Sequence, residues 1–425
     1  MTESQNSRSS RESADVIVLG AGPAGLVLAN LLHAAGIDCV LLERASRTHV
    51  QTRARAGFLA PNTGRILDRH GLAGGLHRHG SRHGTCEFRT RDGSFRLDYG
   101  ALGRGGQGGH GGHGGQGLQG GHGGQSGQHH VYPQQNLVTD LLTHYLDHGG
   151  RVRFHTEALA VGDADGTRPY VTTREPDGRP TRWTARYVAG CDGRHGAARR
   201  SLPPDAVRRH HDHGVTWLGL LAEARPSLDA VGYAVHERGF AGHMARTPEV
   251  TRYYLQWQRG VPADAWSEQR IWDELDLRMR AADHGPLHRG TLLERGIFDL
   301  TCDVVEPLRY GSLFLAGDAA SLLAPAAAKG ANLAVLEAEI LAGALTDALT
   351  RGDTAGLDGY SDQCLAHIWR AQEFTGWMTR LLHAAPEGEQ GAGPSFHAAL
   401  RRSRLASLRT SRVHQEWFAE NYVGV

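Results

Sequence analysis

The sequence predicts an α/β protein in which a discontinuous, Rossmann-like dinucleotide-binding domain holds an inserted β-rich domain and is followed by a C-terminal helical region. Three observations lead to this prediction. A β-branched apolar run near the N-terminus meets glycines at the spacing G-x-G-x-x-G, a β-like pattern covers 215–258, and another buried strand ends in Gly-Asp at 317–318. The pattern typical of a nucleotide-binding fold is therefore present near the N-terminus, is interrupted by the β-like region, and returns at the strand that ends in Gly-Asp.

The glycine motif is the strongest of these signals. The apolar run 16–19 leads into Gly20, Gly22 and Gly25, then into a helical pattern and a short strand that ends in Glu43. Gly20 permits the tight turn, Gly22 lets the backbone approach a pyrophosphate, and Gly25 lets the helix pack on the strand. Glu43 follows at the distance at which an acid can bind ribose hydroxyls. The order and spacing of the strand, the glycines, the helix, the second strand and the acid favour a dinucleotide site over a plain glycine-rich turn.

Composition limits the possible partners and compartments. The 425 residues carry 46 basic and 45 acidic side chains, so net charge does not point to nucleic acid or to an anionic membrane. Five scattered cysteines without metal-ligand spacing fit reduced thiols. Residues 1–13 form a polar tail without a signal-peptide core, and charges interrupt the apolar stretch 313–345. We therefore expect a cytoplasmic protein of enzyme size with no metal site. A homodimer is a separate expectation.

Arginines follow the acid of the nucleotide motif. A basic loop contains Arg44, Arg47, Arg53 and Arg55, and it fits either a solvated surface or contact with phosphate.

A hairpin is predicted further along the chain. Alternation typical of strands runs from residue 82 to residue 99, with a predicted turn at Asp92-Gly93.

The segment 103–130 differs from the rest of the chain. Fifteen of its 28 residues are glycine, five are histidine, and no apolar period is present. Such a segment cannot offset its ordering entropy by burial, so we expect a flexible insertion without a defined metal site.

Strands and helices are again predicted after the insertion, and two of the strands are followed closely by an aspartate. A predicted strand at 186–189 runs into Asp192 and His195, and the strand from Leu313 runs into Asp318. Ligands of open α/β sheets bind at the carboxyl ends of strands, although an Asp-Gly turn alone would look the same. The predicted division is a dinucleotide-binding domain of 14–80, 131–204 and 300–345, a substrate domain of 81–102 and 205–299, the insertion 103–130, and a helical region from 346 to 425.

With these motifs together, the sequence resembles the single-component FAD-dependent aromatic hydroxylases from Asp15 to Gly424, except at the insertion. The resemblance rests on GAGPAGLVLANLLHAAGID at Gly20, RARAG at Arg53, RPYVT at Arg168, AGCDGRHG at Ala189, WLGLLAE at Trp217, RYY at Arg252, LFLAGDAA at Leu313, AKGANLA at Ala328 and AENYVG at Ala419. It implies that NADPH or NADH reduces FAD and that O₂ then hydroxylates an electron-rich ring in a dry pocket. The implied substrate is a small aromatic carboxylic acid, 4-hydroxybenzoate or a close analogue, hydroxylated ortho to the phenol.

The resemblance also implies roles for individual residues. Tyr233 contacts the phenol oxygen, Tyr422 hydrogen-bonds Tyr233, His83 links the pair to solvent, and the Pro325 carbonyl faces the substrate. The implied substrate-binding residues are Arg246 and Tyr254 at the carboxylate, with Met244, Trp217 and Ala326. The implied FAD contacts are Gly20, Gly22, Gly25, Glu43, Arg55, Gln134, Asp192, Asp318, Lys329 and Asn332. The implied nicotinamide-nucleotide contacts are Arg44, Arg53, His195 and Arg199.

Three departures from the family pattern leave alternatives open. Met244 stands where the family has a carboxylate-binding serine, Ala326 replaces a threonine, and Thr301 replaces an arginine at the nicotinamide cofactor. The substrate is therefore either 4-hydroxybenzoate or a ring-substituted analogue such as 3-amino-4-hydroxybenzoate. A third possibility is a flavoprotein that binds an aromatic acid without turning it over.

Overall fold

The structure is a computed structural model that describes residues 12–53, 57–102, 127–282, 284–383 and 396–424. Its strands are β1 (Val16–Leu19), β2 (Cys39–Leu42), β3 (Phe58–Leu59), β4 (Ser81–His83), β5 (Thr85–Thr90), β6 (Gly93–Asp98), β7 (His129–Val131), β8 (Arg151–Arg153), β9 (Glu157–Gly162), β10 (Tyr170–Arg174), β11 (Pro180–Thr184), β12 (Tyr187–Gly190), β13 (Val207–Glu223), β14 (Val231–His236), β15 (Gly239–Ala245), β16 (Thr251–Trp257), β17 (Thr291–Glu306), β18 (Arg309–Tyr310), β19 (Leu313–Leu315) and β20 (Ser321–Leu322). Its helices are α1 (Pro23–Ala34), α2 (Arg47–Thr52), α3 (Pro61–Arg69), α4 (Gly74–His79), α5 (Tyr99–Leu102), α6 (Gln134–Asp147), α7 (Ala197–Arg200), α8 (Glu268–Arg278), α9 (Gly330–Thr350), α10 (Ala355–Leu382), α11 (Phe396–Thr410) and α12 (Arg412–Val423).

Strands from both ends of the chain form one nucleotide sheet, in the order β18-β19-β12-β1-β2-β8. β1 runs parallel to β2 and to β12, and β12 runs parallel to β19. All four residues of β1 are buried, as expected for an internal strand of a parallel sheet that is covered on both faces. The carboxyl ends of β1, β12 and β19 therefore share one edge, where Gly20, Asp192 and Asp318 follow.

Two glycines set the geometry of this edge. Gly20 has φ +92°, and a Cβ atom on it would lie 2.7 Å from the Cys191 carbonyl oxygen. A Cβ atom on Gly25 would lie 2.0 Å from the Gly20 carbonyl oxygen. Gly20 thus makes the turn, and Gly25 lets α1 pack against it, as the motif predicted.

The inserted region forms a second, larger sheet in the order β20-β17-β13-β16-β15-β14-β5-β6. The hairpin β5–β6 was predicted, with Gly93 at its turn and φ +115°. On one face α8 packs over an apolar core that includes Leu255 and Trp272. The other face contributes Trp217 and Tyr233 to a core shared with α10 and α12.

A small sheet of order β3-β7-β4 connects the two regions. β7 begins at His129, so the last two residues of the predicted insertion, 129 and 130, lie in a strand. Residues 103–126, which hold most of the Gly/His/Gln segment, lie outside the described residues. The predicted tail is described only from residue 12 onward. The division into domains stays a prediction.

The C-terminal region is helical, as predicted. α9 begins at Gly330, and α8 ends at Arg278. α12 buries Phe418 and Tyr422 against the substrate sheet. No helix in the described ranges is long and apolar enough to cross a bilayer. The predicted α/β class, with its divided nucleotide sheet, β-rich insertion and helical end, is confirmed.

The glycine contacts give a testable pair of variants. We expect Gly25→Ala to lower the free energy of unfolding by about 1–3 kcal/mol, because its Cβ would overlap backbone that cannot move cheaply. Gly22→Ala is the matched control, since its Cβ would meet no atom within 4 Å and its φ is −81°. Urea unfolding of both variants checks the expectation, and equal losses in stability would contradict it.

Candidate active site

A cavity of about 650 Å³ extends from the shared edge of the nucleotide sheet to the apolar face of the substrate sheet. Its first end is lined by the glycine turn, and its second end is lined by Trp217, Tyr233 and Tyr422. The 3-10 turn Pro325–Ala327 lies between the two ends of the cavity. One continuous space therefore joins the predicted cofactor and substrate residues.

The glycine end of the cavity fits a pyrophosphate. Gly22 lines the cavity, and the space where its Cβ would lie is open. No side chain caps the N-terminus of α1, so backbone N–H groups of its first turn are left for an anion. Gly25 does not line the cavity and acts through helix packing alone.

Three predicted acids line this end of the cavity: Glu43, Asp192 and Asp318. Glu43 already accepts hydrogen bonds of 2.8 Å from the backbone N–H groups of Ala21 and Ala45, which fix its carboxylate at the mouth of the turn. Asp192 accepts a hydrogen bond from the Ala198 N–H, whereas its Oδ1 is buried with no partner in the described part of the chain. Burial raises the pKa of Asp192 to about 6. An unpartnered buried oxygen beside the cavity is consistent with a bound donor.

Gln134 and Lys329 line the cavity, but Asn332 does not. The Lys329 ammonium donates to the carbonyl oxygens of Tyr422, at 2.9 Å, and Gly424, and burial lowers its pKa to about 7. The Asn332 amide is used within the protein, accepting from Ala60 and Thr63 and donating to Phe58 and Ala328. Asn332 therefore holds the β3–α9 connection and acts on the cofactor site only through that connection.

Only some of the residues predicted to bind the nicotinamide nucleotide line the cavity. Arg44 and Arg53 line the cavity, and Thr301 lines it as well. Arg199 is buried beside Asp303, with 3.6 Å between its Nη2 and a carboxylate oxygen, and is turned away from the cavity wall. His195 is exposed and off the wall. Arg55 lies outside the described residues.

Two tyrosine hydroxyls meet at the other end of the cavity. The hydroxyls of Tyr233 on β14 and Tyr422 on α12 lie 2.6 Å apart, and both side chains are buried. Burial holds the pKa of each tyrosine above its ordinary value. The contact expected between these residues is therefore present. His83 hydrogen-bonds Tyr99 rather than either member of the pair, with 3.0 Å between its Nδ1 and the Tyr99 hydroxyl.

Two guanidinium groups supply positive charge to this region. Arg252 lines the cavity, and its Nε has no partner among the described residues. Arg246 lies off the wall, donates to Gln135 Oε1 at 3.2 Å, and leaves Nη1 buried and unpartnered within the same ranges. Burial, followed by repulsion from Arg252, lowers the pKa of Arg246 to about 10. Glu294 approaches Arg252 only to 4.0 Å, so this end attracts an anion.

The remaining wall is mainly apolar. The Trp217 ring packs against Phe240 and Tyr254 at centroid distances of 5.2 and 4.8 Å. Its Nε1 donates to His383 at 2.6 Å, which fixes the orientation of the indole. Met244 and Ala326 complete the wall. The Pro325 carbonyl accepts from the Ala328 N–H at 3.1 Å, which leaves one lone pair for a ligand.

Sequence reasoning missed several residues at the site. Arg252 belongs to the RYY run but was not assigned a role, and its alternation with Tyr253 along β16 could have indicated it. Phe298 also lines the cavity. Tyr99 and His129 pack around Tyr422, yet His129 sits in the low-complexity segment, where no pattern indicates burial.

Comparison with known proteins agrees with this geometry. The family model described as "FAD binding domain" matches residues 13–375. The chain is 34% identical over 411 residues to a p-hydroxybenzoate hydroxylase of Acinetobacter baylyi, covering 96% of this chain and 95% of that protein. It is 32% identical to the 3-amino-4-hydroxybenzoate 2-monooxygenase PtnB3 of Streptomyces platensis, over 77% of this chain and 78% of that protein.

A solved structure supports the fold. The p-nitrophenol 4-monooxygenase PnpA of Pseudomonas putida superposes with a TM-score of 0.76, covering 97% of this chain and 99% of that one at 18% identity. The residues at the glycine end fit FAD, whose presence the family implies together with NAD(P)H as co-substrate. The match to enzymes of this kind argues against the alternative of a flavoprotein that binds an aromatic acid without turning it over. This chain belongs to the FAD-binding-domain family and is an FAD-dependent aromatic monooxygenase.

Proposed function

We propose that this enzyme hydroxylates 4-hydroxybenzoate, or a close ring-substituted analogue, ortho to the phenol. The single observation that carries the proposal is the 2.6 Å contact between the Tyr233 and Tyr422 hydroxyls at the inner end of the cavity. Two buried hydroxyls in contact can take the proton of a phenol along their hydrogen bond and then donate to the phenolate oxygen that remains. The relative from Acinetobacter baylyi, named for p-hydroxybenzoate, supports the same substrate class.

The tyrosine pair would activate the ring. Because burial raises the pKa of Tyr233, its hydroxyl stays protonated and is available as a donor near neutral pH. A donor aimed at the phenol oxygen stabilises the phenolate, and the phenolate ring is richer in electrons ortho to that oxygen. FAD, once reduced by NAD(P)H, would supply the electrophilic oxygen from O₂.

The apolar wall would keep water from this chemistry. Trp217 and Phe240 are buried and stacked, and the Trp217 N–H is already bonded to His383. A substrate ring against these faces would displace solvent and would not compete with the indole for a hydrogen bond.

The guanidinium groups would hold the carboxylate. Arg246 and Arg252 are both buried, and each has an N–H without a partner in the described part of the chain. A carboxylate is the anion whose geometry two such groups match best. Arg252 is the nearer to the cavity, so we propose that it acts with the sequence-predicted Arg246.

An amino-substituted acid is the second candidate. Met244 on the cavity wall offers no hydrogen-bond donor and fills irregular space, while Ala326 is small. The likeness to PtnB3, named for 3-amino-4-hydroxybenzoate, supports this alternative. For the reductant we propose NADPH over NADH, since Arg44 and Arg53 line the other end of the cavity.

The decisive experiment combines purified protein, FAD and O₂ with NADPH or NADH and a panel of hydroxybenzoates. We expect substrate-stimulated oxidation of NADPH and 3,4-dihydroxybenzoate as the product from 4-hydroxybenzoate. The ratio of kcat/KM for 4-hydroxybenzoate and 3-amino-4-hydroxybenzoate, measured with peroxide release, decides between the two acids. Nicotinamide oxidation that no hydroxybenzoate stimulates would refute the proposal.

Tyr233→Phe tests the activating contact. We expect the variant to bind FAD and to be reduced normally, but to lose about 10²-fold or more in hydroxylation, with reducing equivalents appearing as peroxide. Tyr253→Phe is the matched control, because Tyr253 is a buried tyrosine of the same sheet in the core on the opposite face. Unchanged product yield from Tyr233→Phe would exclude the role.

The carboxylate contact is tested with an uncharged substrate analogue. We expect Arg246→Met and Arg252→Met to raise KM for 4-hydroxybenzoate by about 10- to 100-fold, the value of a hydrogen bond to a charged group. KM for 4-hydroxybenzamide should change little, because it carries no charge to lose. Equal losses for the acid and the amide would show that the arginines support the fold rather than bind the carboxylate.

A further inference from the structure

An aromatic cluster lies beside the tyrosine pair, and its members Tyr99 and His129 do not line the cavity, whereas Phe58 does. The Tyr422 ring meets the Tyr99 ring at a centroid distance of 4.9 Å and the His129 ring at 5.2 Å. Tyr99 and His129 are themselves 5.3 Å apart, and Phe58 stacks on His129 at 4.1 Å. Tyr99 and His129 therefore stand beside the hydroxyl pair without touching the cavity.

The small sheet and the β5–β6 hairpin create this cluster. His83 on β4 is directly opposite His129 on β7, so both imidazoles project from one face of the sheet. Tyr99 begins α5, immediately after β6, and lies against both histidines. The chain thus brings two imidazoles and one phenol together behind Tyr422.

Hydrogen bonding links only part of this cluster. The Tyr99 hydroxyl donates to the His83 carbonyl oxygen at 3.0 Å and also lies 3.0 Å from His83 Nδ1. His129 is 2% exposed, and its Nδ1 has no hydrogen-bond partner within the described ranges. A buried imidazole nitrogen without a hydrogen-bond partner lowers the stability of the fold, so its presence calls for an explanation. Tyr99 and His129 fill the gap between Tyr422 and His83.

We propose that Tyr99 and His129 carry the substrate's phenol proton from Tyr422 to His83. This rests on the proposed function, in which the Tyr233 hydroxyl contacts the phenol oxygen and passes its proton on through Tyr422. Each hydroxyl releases one proton as it accepts another, and His129 accepts and returns one proton, so these groups end unchanged. The substrate loses one proton, His83 gains it and passes it to water, and no electrons are transferred.

The electrostatic surroundings suit this role. Burial lowers the pKa of His129 well below its ordinary value, and the Lys329 charge acts in the same direction. Burial also lowers the pKa of His83, against a smaller opposing effect of Asp229. The other titratable groups that act on His129 are His83 and His130, and those that act on Tyr99 are Cys86, Tyr233 and Asp98. Both imidazoles are therefore neutral and able to accept a proton near neutral pH, and the path closes as acid protonates them.

The test uses the FAD-loaded enzyme and variants that keep the cluster packed. Tyr99→Phe removes one hydroxyl, and His129→Phe keeps a ring against Phe58 while removing both nitrogens. His83→Asn removes the outlet, and Tyr253→Phe is the control outside the cluster. Rapid mixing with 4-hydroxybenzoate and a pH-indicator dye measures proton release, and absorbance against pH measures phenolate formation on the enzyme.

We expect Tyr99→Phe and His129→Phe to slow proton release and to lower kcat by about tenfold or more, with KM within about twofold of the parent. FAD content should stay at one per chain, and Tyr253→Phe should match the parent. Because the residues act on one path, Tyr99→Phe should add little to His83→Asn.

Two results would overturn the inference. If Tyr99→Phe releases protons at the rate and with the pH dependence of the parent enzyme, the route is excluded. The Tyr99→Phe variant alone decides the question if His129→Phe does not fold. Full additivity of Tyr99→Phe with His83→Asn would also exclude a shared path. In both cases hydroxylation by the parent enzyme would still support the proposed function, whereas a parent that neither binds nor hydroxylates any hydroxybenzoate would refute both.

Discussion

The contact between Gly25 and the Gly20 carbonyl is the constraint on which the rest of the site depends. A Cβ atom at Gly25 would lie 2.0 Å from that oxygen, so α1 can approach the end of β1 only without a side chain there. This approach brings the first turn of α1 to the edge at which β1, β12 and β19 all end. The cofactor end of the cavity follows from it, and the substrate sheet is built against the same edge.

Burial controls the chemistry at both ends of the cavity. In water the side chains of Asp192, Lys329 and Tyr233 would titrate at ordinary values, whereas here desolvation favours the neutral form of each. A buried Glu337 behaves in the same way, accepting from the Gly317 N–H while burial raises its pKa to about 8. The guanidinium groups supply fixed positive charge beside the buried substrate end of the cavity, which suits an anionic substrate and reactions that water would disrupt.

Long-range packing connects the residues proposed to act on the substrate. Tyr422 approaches Tyr233 only because α12 packs its buried face on the substrate sheet, and Lys329 holds the end of that helix through the Tyr422 and Gly424 carbonyl oxygens. Arg246 reaches across to Gln135 on α6 of the nucleotide region. Each of these bonds joins segments more than 90 residues apart.

Local sequence determined the parts of this protein that local physics controls. The glycine spacing gave the β1–α1 turn, strand periodicity gave the β5–β6 hairpin, and composition marked the Gly/His/Gln segment. The Tyr233 and Tyr422 assignments came from family resemblance, since nothing in their local sequence distinguishes them from core tyrosines. Only tertiary structure decided that Arg252 faces the cavity while Arg246 lies behind it, and that His83 bonds Tyr99. It also buried His129, from a segment with no apolar pattern, against Phe58 and Tyr422. The physical reason is that a side chain's partners and burial depend on which distant strands and helices pack together, and no local pattern contains that information.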